Sequence, residues 1–277
     1  MKRVLLILSF IFVSILTFAG NYPFSVVKSG KGKQAVVFIP GFACSGEVWK
    51  ETVAELQDDY TCYVLTMAGF AGVAPEEAPS FEAWKCGIAR FIEEEAIKNP
   101  ILVGHSMGGG LALALASDFP ALPKKLVIVD TLPCLMALTN PVFKSAPNVD
   151  CRDMIQRITS MDEAQFLRMQ RMSAASLTTD SSKLDELVSW GVTSDRKTYA
   201  TLYCDFSNTD LRERIKNIQV PSLILLEANF RNIESAVREQ YKELPAAQLK
   251  YADKGLHFVM FDDKEWFMNR LIEFIKE

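Results

Sequence analysis

Histidine is scarce in this chain of 277 residues: there are two, His105 and His257. No Cys-x-x-Cys pair and no histidine cluster occurs. A zinc site needs three or four such ligands brought together, so none is expected. Positive charge is also in deficit. Lys plus Arg total 30 against 34 Asp plus Glu, a formal net charge of −4. Nucleic-acid binders carry a basic surplus gathered into a patch, so that class is disfavoured. Internal repeats, low-complexity tracts and long runs of like charge are missing. No apolar stretch reaches the ~20 residues that a spanning helix requires. What is present is an ordinary globular composition, 49% hydrophobic and 23% charged. At this length a core is stable without disulfide or metal. The sequence does not fix an oligomeric state.

The first residues read as an address. Met1-Lys2-Arg3 precedes an apolar run from Val4 to Phe18, and Thr17-Phe18-Ala19 places small residues around a cut after Ala19. A basic start, a short apolar stretch and a small-residue exit form a secretory signal peptide. Export to the periplasm or the exterior is expected, with no membrane span left after cleavage. Six cysteines remain, Cys44, Cys62, Cys86, Cys134, Cys151 and Cys204. An oxidising compartment permits disulfides, but six cysteines allow 15 pairings and the sequence does not choose. Cys62 lies in a strand-like run and Cys86 in a helical one, so both are expected as small buried hydrophobes.

Further along, short apolar runs alternate with helical patterns. The runs are Ala35 to Ile39, Cys62 to Thr66, Ile101 to Val103, Leu126 to Val129, Leu223 to Leu226 and Gln248 to Tyr251. Helical spacing covers Glu47 to Leu56, Ser80 to Lys98, Met107 to Phe119 and Glu265 to Ile275. Continuous apolar strands separated by helices imply a parallel sheet covered on both faces, the doubly wound α/β class. From Leu132 to about Phe206 no buried-strand run occurs, only helical patterns and five of the ten methionines. The expected division is a leader over 1–19, an α/β core over 20–132 and 207–277, and a helical cap over 133–206. Phe143, Phe166, Trp190 and the methionines are the apolar material this cap offers. The methionines suit core filling first, and an adaptable binding wall second.

The sharpest feature is Gly104-His105-Ser106-Met107-Gly108, directly after Ile101-Leu102-Val103 and before a helix. A serine between two glycines on a strand-to-helix turn is a nucleophile elbow. Side chains at either glycine would clash with the folded-back chain. The same glycines leave no phosphate-binding loop to assign, so no organic cofactor is implied. A serine hydroxyl needs a base at neutral pH, and histidine is the usual one. His105 flanks Ser106 and points away from its hydroxyl, which leaves His257, in the loop between the last strand run and the last helix.

A carboxylate must hold the imidazole tautomer. Its commonest place follows Leu223 to Leu226, but Asn229 stands where aspartate is expected, and an amide carries no charge. Asp130, at the end of the preceding strand run, is favoured over Glu227. Asp253 and Asp262 are weaker candidates. The oxyanion requires backbone N–H donors. Met107, after the nucleophile, is one, and Phe42 in Pro40-Gly41-Phe42-Ala43-Cys44 is the other.

The elbow, the Pro40-Gly41-Phe42 loop and the late Gly255-Leu256-His257-Phe258 loop together resemble the α/β-hydrolase fold, in its serine hydrolases with a helical cap. The resemblance runs from about Phe24 to the C-terminus. It implies Ser106 as nucleophile, His257 as base, and Asp130 or Glu227 as acid. Asn229 departs from the usual pattern, and some members place the acid one strand earlier, at the position of Asp130. A serine nucleophile sets aside the epoxide hydrolases and haloalkane dehalogenases of this fold, which attack with aspartate. The expected reaction is hydrolysis of an ester or thioester of a small to medium apolar acyl group through an acyl-enzyme. Amide or peptide cleavage and a slow-turnover ligand sensor are the alternatives.

Overall fold

The computed structural model describes residues 22–277. The leader predicted over residues 1–19 lies outside the described residues. A seven-stranded sheet organises the chain, with strands β1 (Phe24–Ser29), β2 (Gln34–Ile39), β3 (Tyr60–Met67), β4 (Ile101–His105), β5 (Lys125–Val129), β6 (Ser222–Leu226) and β7 (Gln248–Tyr251). Their spatial order is β1-β3-β2-β4-β5-β6-β7. All neighbours are parallel except β1, which pairs antiparallel with β3, Phe24 opposite Met67.

The central strands β4, β5 and β6 are buried at every residue. That explains their unbroken apolar runs, since helices cover both faces. Strand β1 alternates buried and exposed positions at its start, as an edge strand with one wet face does. It escapes a search for continuous runs for this reason.

Side chains alternate across the sheet and feed two cores. On one face Val37, Ile39, Leu102, Leu126, Ile128 and Ile224 pack against helices α2 (Phe81–Glu94) and α3 (Met107–Asp118). On the other, Val36, Phe38, Ile101, Val103, Val127 and Leu225 meet Trp49, Phe267, Leu271 and Phe274, the last three on the C-terminal helix. Helix α2 starts where Ser80 accepts a hydrogen bond from the Ala83 amide, satisfying a donor that the first turn leaves over. The pattern expected from Glu47 is shorter: a 3₁₀ turn at Gly46–Trp49 precedes α1 (Lys50–Leu56).

Between β5 and β6 lie α4 (Arg152–Thr159), α5 (Glu163–Leu177), α6 (Leu184–Val192) and α7 (Arg196–Ser207). Asp162 and Gln165 form a reciprocal capping box at the start of α5. A disulfide joins Cys151 to Cys204 across 53 residues, tying the start of α4 to α7. Closing a loop of that size in the unfolded chain is worth about 4 kcal/mol in the chain-entropy picture. Ile158, Phe166 and Ala200 form a separate small core with Met154, Met161 and Met169 packed on it. Met172 and Met136 are exposed. Three of the five methionines therefore fill a local core, and none of the five lines the cavity described below.

The chain then finishes with α8 (Glu234–Gln240), α9 (Val259–Asp262) and α10 (Lys264–Lys276). Cys62 is fully buried, but Cys86 is exposed and contradicts the expectation for it. On α2 it lies on the solvent face, beside Glu82 one turn back. No helix among the described residues is long and apolar enough to cross a membrane.

Candidate active site

Ser106 sits between β4 and α3 with φ 52°, a left-handed conformation that strains a non-glycine residue. The turn around it is held from several sides. A Cβ on Gly104 would lie 2.3 Å from the Gly108 carbonyl oxygen, and one on Gly108 would lie 2.4 Å from the oxygens of Ile39 and Pro40. Only glycine allows this approach. The Ser106 amide donates to the Val129 carbonyl at 2.9 Å. Thr131 donates its hydroxyl hydrogen to the Ser106 carbonyl oxygen. Thr131 was not among the residues singled out from sequence, and its place directly after Asp130 was the available signal.

His257 and Asp130 come together from chain positions far apart. Nδ1 of His257 lies 2.6 Å from Oδ2 of Asp130. Asp130 is one residue past β5, at φ 50°, and its own amide donates to Leu225 at 2.7 Å, continuing the ladder to β6. Its second oxygen, Oδ1, accepts the Glu227 amide at 2.7 Å. The carboxylate is 5% exposed and both its oxygens are used. Acceptance of the Nδ1 proton leaves the Nε2 lone pair of His257 available as a base.

The remaining carboxylates do other work. Asp262 accepts the Leu256 amide at 2.7 Å and the Thr178 hydroxyl at 2.6 Å, joining the His257 loop to the segment after α5. Asp253 is exposed and pairs with Arg231. Glu227 makes no hydrogen bond to His257 among the described residues. Its carboxyl group is pushed up to about 6 by burial first and by the Asp130 charge second.

This shift has a consequence for stability. Below the ordinary carboxylate value of 4.5 the group is protonated in the folded and unfolded chains alike. Between there and about 6 the folded chain binds the extra proton, so stability falls as pH rises through that window. Above it the whole penalty is present. Glu227→Gln is expected to raise the melting temperature near pH 8 and to leave it unchanged near pH 4. An equal rise at both pH values in calorimetry would refute the charge argument.

His105 supports the loop from below. Its ring is fully buried, its centroid lies 4.6 Å from that of His257, and its Nε2 meets the His257 carbonyl oxygen at 3.1 Å. Burial, and then the proximity of His257, hold its pKa well below the usual histidine value. A neutral ring facing a carbonyl carries its proton on Nε2. His105 therefore fixes the backbone of His257.

The Pro40-Gly41-Phe42 turn closes on the serine. A Cβ at Gly41 would lie 2.7 Å from His105 Nδ1 and 3.2 Å from Ser106 Cβ. No hydrogen bond from the Phe42 N–H is made among the described residues, and Met107 is the first residue of α3, with no acceptor inside the helix. Both amides thus flank Ser106 with their donors unspent, at the positive end of α3. Cys44 is in the same turn, but burial pushes its thiol up to about 12. It stays protonated and is a poor nucleophile.

Ser106, Asp130 and His257 all border one cavity of about 400 Å³. Its walls are mostly apolar, with Leu132, Ala174, Leu177, Leu187 and Phe206 among them. Phe143, Phe166 and Trp190, the aromatic residues anticipated from sequence, do not border it. Phe166 is used in the small core of α4, α5 and α7, and Trp190 packs against the core that holds Trp49 and Phe267. The aromatic walls are instead Phe42, Tyr199, Tyr203, Phe206, Phe230 and Phe258. The Phe42 ring meets those of Tyr199 and Tyr203 at 4.5 and 5.6 Å between centroids.

A strained serine on a strand–turn–helix elbow, at the carboxyl edge of a mostly parallel sheet and over an apolar cavity, defines a hydrolase of the α/β class. The profile of the alpha/beta hydrolase family matches residues 36–270, and the chain belongs to that family. It is 26% identical over 249 residues to the pimeloyl-(acyl-carrier protein) methyl ester esterase of Vibrio cholerae, covering 89% of this chain and 95% of that protein. It is 24% identical over 251 residues to the N-formylmaleamate deformylase of Pseudomonas putida, covering 89% and 90%. Among solved structures it is similar to an enol-lactonase from Burkholderia xenovorans, with TM-score 0.74 at 16% identity, covering 92% of this chain and 97% of that one. A thermophilic esterase from Thermogutta terrifontis gives TM-score 0.73 at 18% identity, covering 95% and 97%.

Proposed function

We propose that the protein is a serine hydrolase that cleaves a carboxylic ester or thioester of a small to medium apolar acyl group. The observation that carries this is the 2.6 Å pairing of His257 with Asp130 beside the apolar cavity that Ser106 also borders. In this reading Ser106 attacks the acyl carbonyl while His257 takes its proton. Asp130 holds the Nδ1–H tautomer and stabilises the imidazolium that forms. The amides of Phe42 and Met107 receive the oxyanion, each worth about 3 to 4 kcal/mol in such a site. His257 then returns its proton to the leaving group and activates the water that frees the acyl group. Similarity to relatives named as a methyl ester esterase and a deformylase supports acyl transfer to water.

The apolar walls support an acyl group without charge. Asp130 is the one carboxylate among the residues that border the cavity, and no lysine or arginine borders it. Export is part of the same proposal, supported by the leader-like residues 1–19 and by the Cys151–Cys204 disulfide, which persists in oxidising compartments.

The test is the initial rate on p-nitrophenyl esters of increasing acyl length, using protein recovered from the exported fraction. A turnover optimum at short to medium chains is expected, with an intact mass that starts at Gly20. Absence of turnover on all of them, with no labelling of Ser106 by a fluorophosphonate, would refute the hydrolase reading. A retained leader would refute export with cleavage.

A further inference from the structure

The loop that carries His257 is held at three backbone groups, each by a different part of the chain. The Leu256 amide donates to Oδ2 of Asp262 at 2.7 Å. The His257 carbonyl oxygen meets Nε2 of His105, on the elbow, at 3.1 Å. The Phe258 amide donates to the carbonyl oxygen of Leu177, the last residue of α5, at 3.1 Å. The Asp262 carboxylate also reaches the cap. Its Oδ1 accepts the Thr178 hydroxyl at 2.6 Å, the Thr179 amide at 3.0 Å and the Asp180 amide at 3.2 Å. One half-buried carboxylate thus serves four donors, three from the segment after α5 and one from the residue before the base. Hydrogen bonds to an ionised acceptor are among the stronger ones. The loop can come this close because of Gly255. It has φ 90°, and a Cβ there would lie 2.4 Å from the Cβ of Asp262. The cap segment is docked a second time at Lys183, which lies over the Phe261 ring at 4.8 Å and reaches Glu51 at 3.1 Å.

We infer that Asp262 is a positioning residue for His257: it fastens the loop of the base to the cap, so that the cap seated over the cavity also fixes the aim of the imidazole. Leu177 borders the cavity and its carbonyl oxygen holds Phe258, so cavity wall and base loop share one support. The inference rests on the reading of His257 as the base of an ester hydrolase. Four donors need both carboxylate oxygens, and in Asp262→Asn a single oxygen remains. Three donors on the cap side outweigh one on the loop side. Asparagine therefore keeps its oxygen toward Thr178, Thr179 and Asp180 and turns its NH₂ group toward the Leu256 amide. Two donors then face each other, and the loop is released while the cap stays seated. A displacement of about 1 Å in a catalytic group costs up to ~10²-fold in rate.

The experiment compares Asp262→Asn with the unaltered protein on a short p-nitrophenyl ester. kcat is expected to fall about ten-fold or more, with KM within about two-fold, because the cavity walls stay in place. Positioning also has a signature that needs no turnover. The low-field proton resonance of the His257–Asp130 hydrogen bond should broaden or move upfield in the variant, whereas a lower melting temperature alone leaves it where it was. Thr178→Val removes the hydroxyl that Oδ1 accepts and touches nothing in the His257 loop. It should show the same pattern at smaller amplitude, and it carries the test should Asp262→Asn fail to fold. In the double variant the losses should fall short of additivity in free energy, since the hydroxyl acts through the carboxylate. An unchanged kcat, a loss confined to KM, an unmoved resonance or full additivity would each overturn the assignment. Absence of turnover by the unaltered protein would instead sink the ester-hydrolase reading, and the resonance would still decide whether Asp262 positions His257.

Discussion

Ser106→Ala is expected to lower ester turnover by a factor on the order of 10⁶, with little change in the apparent affinity for substrate. The argument starts from what the substitution leaves in place. The hydrogen bonds that hold residue 106 are made by its backbone: its amide donates to Val129, and its carbonyl oxygen accepts from the Thr131 hydroxyl and the Gly110 amide. Glycines 41, 104 and 108 keep the chain folded back around it. Alanine at φ 52° inherits the strain of serine and adds none. The cavity, the Phe42 and Met107 amides and the His257–Asp130 pair all survive, so ground-state binding should survive with them.

In the proposed mechanism the path through a covalent acyl-enzyme is what disappears. His257→Ala should cost a similar factor, because nucleophile and base act as a unit and removing either disables both. Stopped assays on a short p-nitrophenyl ester, with thermal melts to show a folded protein, check this. Loss of ten-fold or less in either variant would remove Ser106 and His257 from the chemistry.

The parts legible in sequence are those whose signal is local. Ile101 to Val103 followed by Gly-His-Ser-Met-Gly announces a buried strand, a tight turn and a helix within a dozen residues, and the structure has β4, the elbow and α3 there. The runs that form β2, β4, β5 and β6 are continuous because burial on both faces removes any need for polar positions, whereas β7 is an edge strand that alternates exposed and half-buried residues. Strand β1 was missed because an edge strand shares its pattern with any amphipathic loop. The walls of the cavity were misread for a different reason. A helical segment shows which residues are apolar but not which way each helix is turned. Phe166 looks like a wall residue in sequence, and packing against Tyr199 and Ala200 turns it into a small separate core. Thr131 is signalled only by its place directly after Asp130, because a lone polar residue announces little until its surroundings are known. The Cys151–Cys204 pairing is likewise a long-range contact that no spacing rule selects.

Asp130→Asn is the second large effect, a loss of about 10³ to 10⁴ in turnover. The structure makes the direction of the amide predictable. Oδ1 of Asp130 accepts the Glu227 amide, and a backbone N–H must face an oxygen. Asparagine therefore keeps its oxygen toward Glu227 and turns its NH₂ group toward Nδ1 of His257. Nδ1 must then accept, the imidazole proton moves to Nε2, and the nitrogen that serves Ser106 in the proposed mechanism can no longer take a proton. The same substitution removes the charge that steadies the imidazolium. Glu227→Gln, by contrast, keeps its backbone donation to Asp130 and removes a carboxylate that makes no hydrogen bond to His257 among the described residues, so it should cost less than about ten-fold. The comparison of the two variants at one pH decides the acid. A larger loss for Glu227→Gln than for Asp130→Asn would mean that the carboxylate after β6 steers His257 during turnover, and that the 2.6 Å contact with Asp130 is a property of the resting enzyme.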